Sequence, residues 1–338
     1  MSWRKVVAVG VVAAGVLAWT LLGVLAEPSA EQDAKKEGKE QAASTKWAPA
    51  VTPKPLSENV QKGLGFLVQT QLNNGGWGQG EESANMGRGT QLKDAPSVAD
   101  TCVCALALIR AGSTPKSGPH AAQIRKALDY LCAEVEEADA KSLFITKTRG
   151  TRVQSKLGQY VDTFLAAMVL AEVKDQMPDA ESRKRLMAAL DKTMDKIEKN
   201  QQSDGTWAKD GWAPTLSQAM AVKALNRAAQ AGVDVSEDVR AKTEQYAQGQ
   251  HDAKAGGFKA EGSAGVQLYA GAASLGAMQD SANTNATKRA ALKIKATTAT
   301  TAAERKAAEV MLNRIDGNER ALQEAQKTIV EKLSDERF

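Results

Sequence analysis

Lys199-Asn200-Gln201-Gln202-Ser203-Asp204-Gly205-Thr206-Trp207, followed by Ala213-Pro214-Thr215 and an apolar run to Ala228, decides the fold. A Gln-rich helix end leads into a turn on Asp204-Gly205, a Trp, a Pro-opened loop and a second helix. The order recurs at Phe66-Leu67-Val68-Gln69-Thr70-Gln71, Asn74-Gly75-Gly76-Trp77, Pro96 and an apolar helix over 98–111. A weaker copy has Gln248-Gly249-Gln250, Gly256-Gly257-Phe258 and a helix over 266–278, with Phe in the Trp place. Between the clear copies lies a degenerate one: 127–134, then Tyr160-Val161-Asp162-Thr163 and a helix through Leu170.

Aligning the second helices pairs Asp100-Thr101 with Asp162-Thr163, Ser217-Gln218 and Gln267-Leu268, at spacings of 62, 55 and 50 residues. A drifting period with comparable helices places the length changes in loops. Each unit is a helix pair that cannot bury its apolar face alone, so the units must stack. At each corner a Gln reaches orphan backbone groups, Gly permits positive φ, and the Trp covers the junction while its N–H finds an acceptor. The motif residues are Gln71, Gly76, Trp77, Gln202, Gly205, Trp207, Gly257 and Phe258. Trp77 and Trp207 are read as staples between units rather than as ligand contacts.

The Gln…Gly-x-Trp pattern resembles the QW-type repeats of the terpene cyclase (squalene–hopene cyclase) and protein prenyltransferase superfamily. That resemblance covers residues 56–280 in about four units. It implies an all-α fold, an α/α toroid of alternating inner and outer helices. Rings of this kind have about six units, so the chain is expected to form an incomplete ring, an open arc or a truncated one.

Helix character agrees with that layering. The runs 98–109, 163–171 and 264–277 are Ala- and Leu-rich with hardly a charge, as inner helices should be. Residues 180–199 carry Arg183, Lys184, Arg185, Asp191, Lys192, Asp195, Lys196 and Glu198, an outer helix with a solvated face.

At the N-terminus Arg4 and Lys5 precede an apolar run over 6–26. This reads as a signal peptide ending at Val24-Leu25-Ala26, or as an N-terminal membrane anchor. Either places the rest outside the cytoplasm, periplasmic or secreted. Residues 27–55 are Lys-, Glu-, Ala-, Ser- and Pro-rich, a flexible linker. Beyond 280 the repeat signal stops. Residues 281–338 read as a helical extension or insertion, with helices over 302–314 and 319–332 broken at Asp316-Gly317-Asn318.

Three cysteines, Cys102, Cys104 and Cys132, make no complete disulfide framework and permit at most one cross-link, to Cys132. A net charge of +4 with intermixed signs shows no basic stripe with interleaved aromatics, so no nucleic-acid partner is expected.

Polyene cyclisation needs a strong acid and cation-stabilising aromatic faces. The acid motif of the resembled cyclases, Asp-x-Asp-Asp, is absent, and aromatics are 4% of residues, too few to line such a cavity. The resembled prenyltransferases hold zinc with Asp, Cys and His, the first two as Asp-x-Cys. Asp100-Thr101-Cys102 has that spacing, and His251 is the third candidate ligand, though it sits in a turn. Asp100 and Asp162 are the candidate catalytic pair. Facing a cavity, their proximity would raise one pKa; otherwise each is a carboxylate favoured at a helix N-terminus.

The reading is a non-catalytic binding or scaffold module for an apolar ligand or protein partner, with no cofactor and membrane contact only through 6–26 if uncleaved. The alternative is an enzyme on the same scaffold, of terpenoid/prenyl type or a polysaccharide-processing α/α-barrel enzyme, using Asp100 and Asp162.

Overall fold

Side-chain caps open most of the charged helices. In the computed structural model, which describes residues 55–80 and 95–333, Ser57 accepts the Val60 N–H and starts α1 (Glu58–Thr70). Ser97 does the same for Asp100 at the head of α2 (Val98–Arg110). Helix α3 (Ala121–Glu137) follows. A capping box between Thr151 and Gln154 then opens the short α4 (Arg152–Leu157). Next come α5 (Val161–Val173), α6 (Ala180–Lys199) capped by Asp179, α7 (Pro214–Gln230) with Pro214 in its first turn, and α8 (Glu237–Gly249) capped by Ser236. Two long helices, α9 (Gln267–Thr298) and α10 (Ala302–Leu333), complete the described chain.

The described residues are all-α apart from two antiparallel ladders of two residues per strand. In the first, β1 (Trp77–Gly78) pairs with β2 (Pro96–Ser97). In the second, β3 (His251–Asp252) pairs with β4 (Gly257–Phe258). Helical periodicity does not announce them, because they fasten the corner loops rather than build a sheet.

Helices α2, α5, α7 and α9 pack each against the next, and α3, α6, α8 and α10 lie along that layer. Every residue of α5 except Met168 and Glu172 is buried or nearly so, as expected for a helix apolar all round. Helix α6 buries Leu186, Ala189, Leu190, Thr193, Met194 and Ile197, one stripe at helical spacing, and turns most of its charges outward, Lys196 being buried. One cluster, from Leu64 and Trp77 through α5 to Val239, forms the main core. A second, around Phe258, Ala270, Met278, Leu322 and Ala325, joins α9 to α10. The described residues from Leu56 onward make one compact unit.

Two expectations are corrected. The boundary drawn at 280 falls inside α9, which continues unbroken from the repeat into the Ala/Thr/Lys stretch. Helix α10 likewise passes through Asp316-Gly317-Asn318 without a break. A lone interior Gly costs a helix only about 1 kcal/mol. Here the Arg289 guanidinium grips Asp316 and Glu319, and the buried Asn318 amide donates to the Met278 carbonyl at 3.1 Å. Those tertiary bonds outweigh the break signal. Cys102, Cys104 and Cys132 are all free thiols, within the expected limit of at most one cross-link. The segments read as signal or anchor (1–26) and linker (27–55) lie outside the described residues, save Pro55. Among the described residues no helix is long and apolar enough to cross a membrane.

At the C-terminal end a buried ionic network ties four helices together. Arg240 of α8, fully buried, donates to Glu237, to Asn226 of α7 and to Asn285 of α9. Arg314 of α10 reaches Glu237 at 2.8 Å and faces Glu244 at 3.3 Å. Charges this deeply placed survive only because each is paired several times.

Candidate functional site: repeat corners and buried carboxylates

The two clear corners share a set of equivalent hydrogen bonds. Gln71 Nε2 donates to the Gln123 carbonyl on α3 at 2.9 Å, and Gln201 Nε2 to the Val239 carbonyl on α8 at 3.0 Å. Leu72 N–H bonds the Gly76 carbonyl, as Gln202 N–H bonds the Thr206 carbonyl. Asn74 and Asp204 each accept the N–H two residues on. The Trp77 indole donates to the Leu67 carbonyl at 2.8 Å and the Trp207 indole to the Ile197 carbonyl at 2.6 Å, ten residues back in both. Both indoles are covered, at 3% and 4% exposure.

This geometry adjusts the register read from sequence. Gln201 is the counterpart of Gln71; Gln202 corresponds to Leu72 and bonds within its own loop, to the Trp207 carbonyl. The positive-φ glycines are Gly75 and Gly205, at +91° and +83°. A Cβ at either would overlap the backbone carbonyl of Lys126 or Lys242 on the following helix. Gly76 is needed for a different reason: a Cβ there would crowd Pro96, Thr101 and Tyr130.

In the third copy Gly257-Phe258 sits on β4 with Phe258 buried, and the Phe258 N–H is accepted by Gln267 Oε1 at 3.2 Å. At the first corner Thr101 Oγ1 accepts the Trp77 N–H at 2.9 Å. Gln267 therefore matches Thr101, one place earlier than sequence alignment puts it. The degenerate corner has no Trp. There Lys192 and Lys196 of α6 donate to the carbonyls of Glu136, Ala138, Asp139 and Ser142 at the end of α3. Carbonyls at and just beyond a helix end are satisfied here too, but from the following unit.

Asp162 stands in the first turn of α5 but serves α2. Its Oδ1 accepts the Ala99 N–H at 2.9 Å and its Oδ2 accepts Gln154 Nε2 at 2.8 Å. The carboxylate is 2% exposed, and burial raises its pKa. Asp100 is half-buried on α2, and its Oδ2 lacks a hydrogen-bond partner among the described residues. Burial also raises its pKa, opposed by the Ser97 hydroxyl and by the Arg152 charge. Cys102 is fully buried; burial, then the charges of Asp162, Cys104 and Asp100, push its thiol far up. Asp100, Asp162 and Cys102 are thus brought together, near enough to act on one another.

His251 is elsewhere, on β3. Its Nε2 is 2.9 Å from Thr328 Oγ1 of α10 and its ring lies 5.2 Å from that of Phe258. Among the described residues no three His, Cys, Asp or Glu side chains are grouped to hold a metal ion. Of the residues at the carboxylates, Gln154 escaped the sequence reading although the Thr151-x-x-Gln154 capping box is visible there. Tyr130, whose buried hydroxyl has no partner among the described residues, gives no such signal.

Comparison with protein-family models, with characterised proteins and with solved structures finds no match to this chain.

Proposed function

We propose that the chain is an exported or membrane-anchored α/α-toroid repeat protein of the prenyltransferase and squalene-cyclase type, serving as a non-catalytic binding or scaffold module. The single observation that carries this is the use of Asp162. Its Oδ1 ties α2 to α5, and its Oδ2 is taken by Gln154 of α4. A carboxylate so engaged, and only 2% exposed, positions repeats and is closed off from a substrate. Trp77 and Trp207 are likewise closed over their corners. The sequential packing of α2, α5, α7 and α9 supports reading that layer as the inner wall of an open arc. An apolar ligand or protein partner would use that wall or the arc's free edges.

A second reading, an enzyme on this scaffold, draws on one observation. The Asp100 carboxyl has a raised pKa and an oxygen without a partner among the described residues, as a general acid requires. The prenyl version would also recruit Cys102 and His251 to zinc, across two separate regions of the fold. Incubation with farnesyl diphosphate, zinc and magnesium, followed by assay of released diphosphate, separates the two. The scaffold reading predicts no release above that of Asp100→Asn. Release that this substitution abolishes, without loss of folding, overturns it.

A further inference from the structure

Helix α9 has 32 residues, nearly twice the 17 of its neighbour α7. Its last buried residue is Asn285, and the first buried residue of α10 is Ala308. Residues 290–307, the end of α9, the turn and the start of α10, contain no buried residue. The base of this hairpin is fastened to the body by Lys288 and Arg314 on Glu237, and closed on itself by Arg289 on Asp316 and Glu319. Above that base it projects.

The tip is strongly basic. It carries Lys293, Lys295, Arg305 and Lys306 against Glu304 alone, a net +3 in a chain whose total is +4. Glu304 is already occupied in the cap of α10, where its carboxylate accepts the Thr301 hydroxyl at 2.9 Å. Arg305 donates to the Ala299 carbonyl. Lys293, Lys295 and Lys306 have no acidic partner among the described residues.

Leu292 and Ala296, half-buried and four residues apart, mark the face of α9 turned to α10. Ile294 lies opposite, 63% exposed, with a lysine on either side. A large aliphatic side chain flanked by lysines on a solvent face is the pattern of a helix that lies in a lipid interface. A nucleic acid or an acidic protein would account for the lysines and leave Ile294 without a role.

We propose that the tip of the α9–α10 hairpin docks on an anionic phospholipid surface, with Lys293, Lys295 and Lys306 against the headgroup phosphates and Ile294 entering the acyl boundary. The contact is electrostatic first, each lysine contributing roughly fivefold to partitioning, and weakens as salt shortens the screening length. It is independent of ring geometry and of catalysis, so it and the scaffold reading can fail separately.

The test is amide hydrogen exchange of the full chain on phosphatidylcholine vesicles, with and without phosphatidylglycerol. Residues 6–26 would bring the chain to both kinds of vesicle, so the readout is confined to residues 290–307. A helical tip with few tertiary contacts opens readily, and occlusion by lipid slows its exchange. The expected result is slowing on the anionic vesicles only, reversed by high salt, abolished in K293E/K295E/K306E and weakened in Ile294→Ser. All four residues are solvent-facing, so unchanged circular dichroism verifies that the variants remain folded. Equal exchange on both vesicles, or slowing by an oligonucleotide and not by phosphatidylglycerol, overturns the proposal.

Discussion

Asp162 of α5 caps a helix to which it does not belong: its Oδ1 accepts the Ala99 N–H in the first turn of α2 at 2.9 Å. A first-turn N–H has no partner inside its own helix. Supplying the acceptor from α5 makes the head of α2 depend on the placement of another helix, so packing and helix formation are coupled.

Asp162→Ala leaves both the Ala99 N–H and the Gln154 amide without an acceptor in a buried place. A loss of about 2–4 kcal/mol is expected in urea unfolding.

The pH dependence follows from the direction of the shift. Burial raises the Asp162 and Asp100 pKa values, so the native state keeps these protons to higher pH than the unfolded chain. Their contribution to stability is complete below the ordinary carboxylate range and is lost as pH rises through the folded values. Glu237 does not confuse the window. Burial alone would raise it, but Lys288, Arg240 and Arg314 hold it at about 2, so its contribution is already complete above the ordinary range. Unfolding midpoints measured across that window should fall with rising pH, and less steeply in Asp162→Asn.

Gly75→Ala and Gly205→Ala should each destabilise by about 3 kcal/mol or more, since positive φ and overlap with a backbone carbonyl act together. Gly317→Ala should do the reverse. Its Cβ meets open space within α10, and about 1 kcal/mol of stabilisation is expected in the same titration.

Trp77→Phe and Trp207→Phe each remove an indole donor from a carbonyl ten residues back, Leu67 or Ile197. Each should cost about 1–3 kcal/mol. Similar losses at both sites would show that the corners are equivalent.

These corners were the most legible part of the sequence, because Gly, Trp and Gln are each demanded by a local geometry that repeats. Helix type was legible too, from charge-free runs such as 163–171 against the charged 180–199. What sequence does not carry is distance between units. Gln201 and Gln202 are chemically identical, and only the position of Val239 on the next helix decides which one crosses. Nothing in Asp162 itself points to Ala99, sixty-three residues earlier. The break read at Asp316-Gly317-Asn318 failed for the same reason: Arg289 and Met278, which hold that turn helical, come from another helix.

The thiols should be inert in the native chain. Burial first, and then nearby acidic charge, lifts Cys104 to about 12, and burial lifts Cys132 to about 11; Cys102 is buried completely. Thiolate is the reacting form, so a disulfide-exchange reagent near neutral pH should modify none of the three quickly. In denaturant all three should react at once.

The most direct measurement is exchange of the Ala99 amide itself, followed residue by residue in solution. Capping across the repeat predicts that this first-turn amide is protected in the native chain. In Asp162→Ala its exchange should speed up by at least about tenfold, the loss of one buried hydrogen bond, while amides of α7 are unchanged. An Ala99 amide that exchanges as freely as an ordinary uncapped first turn, with or without Asp162, would contradict it.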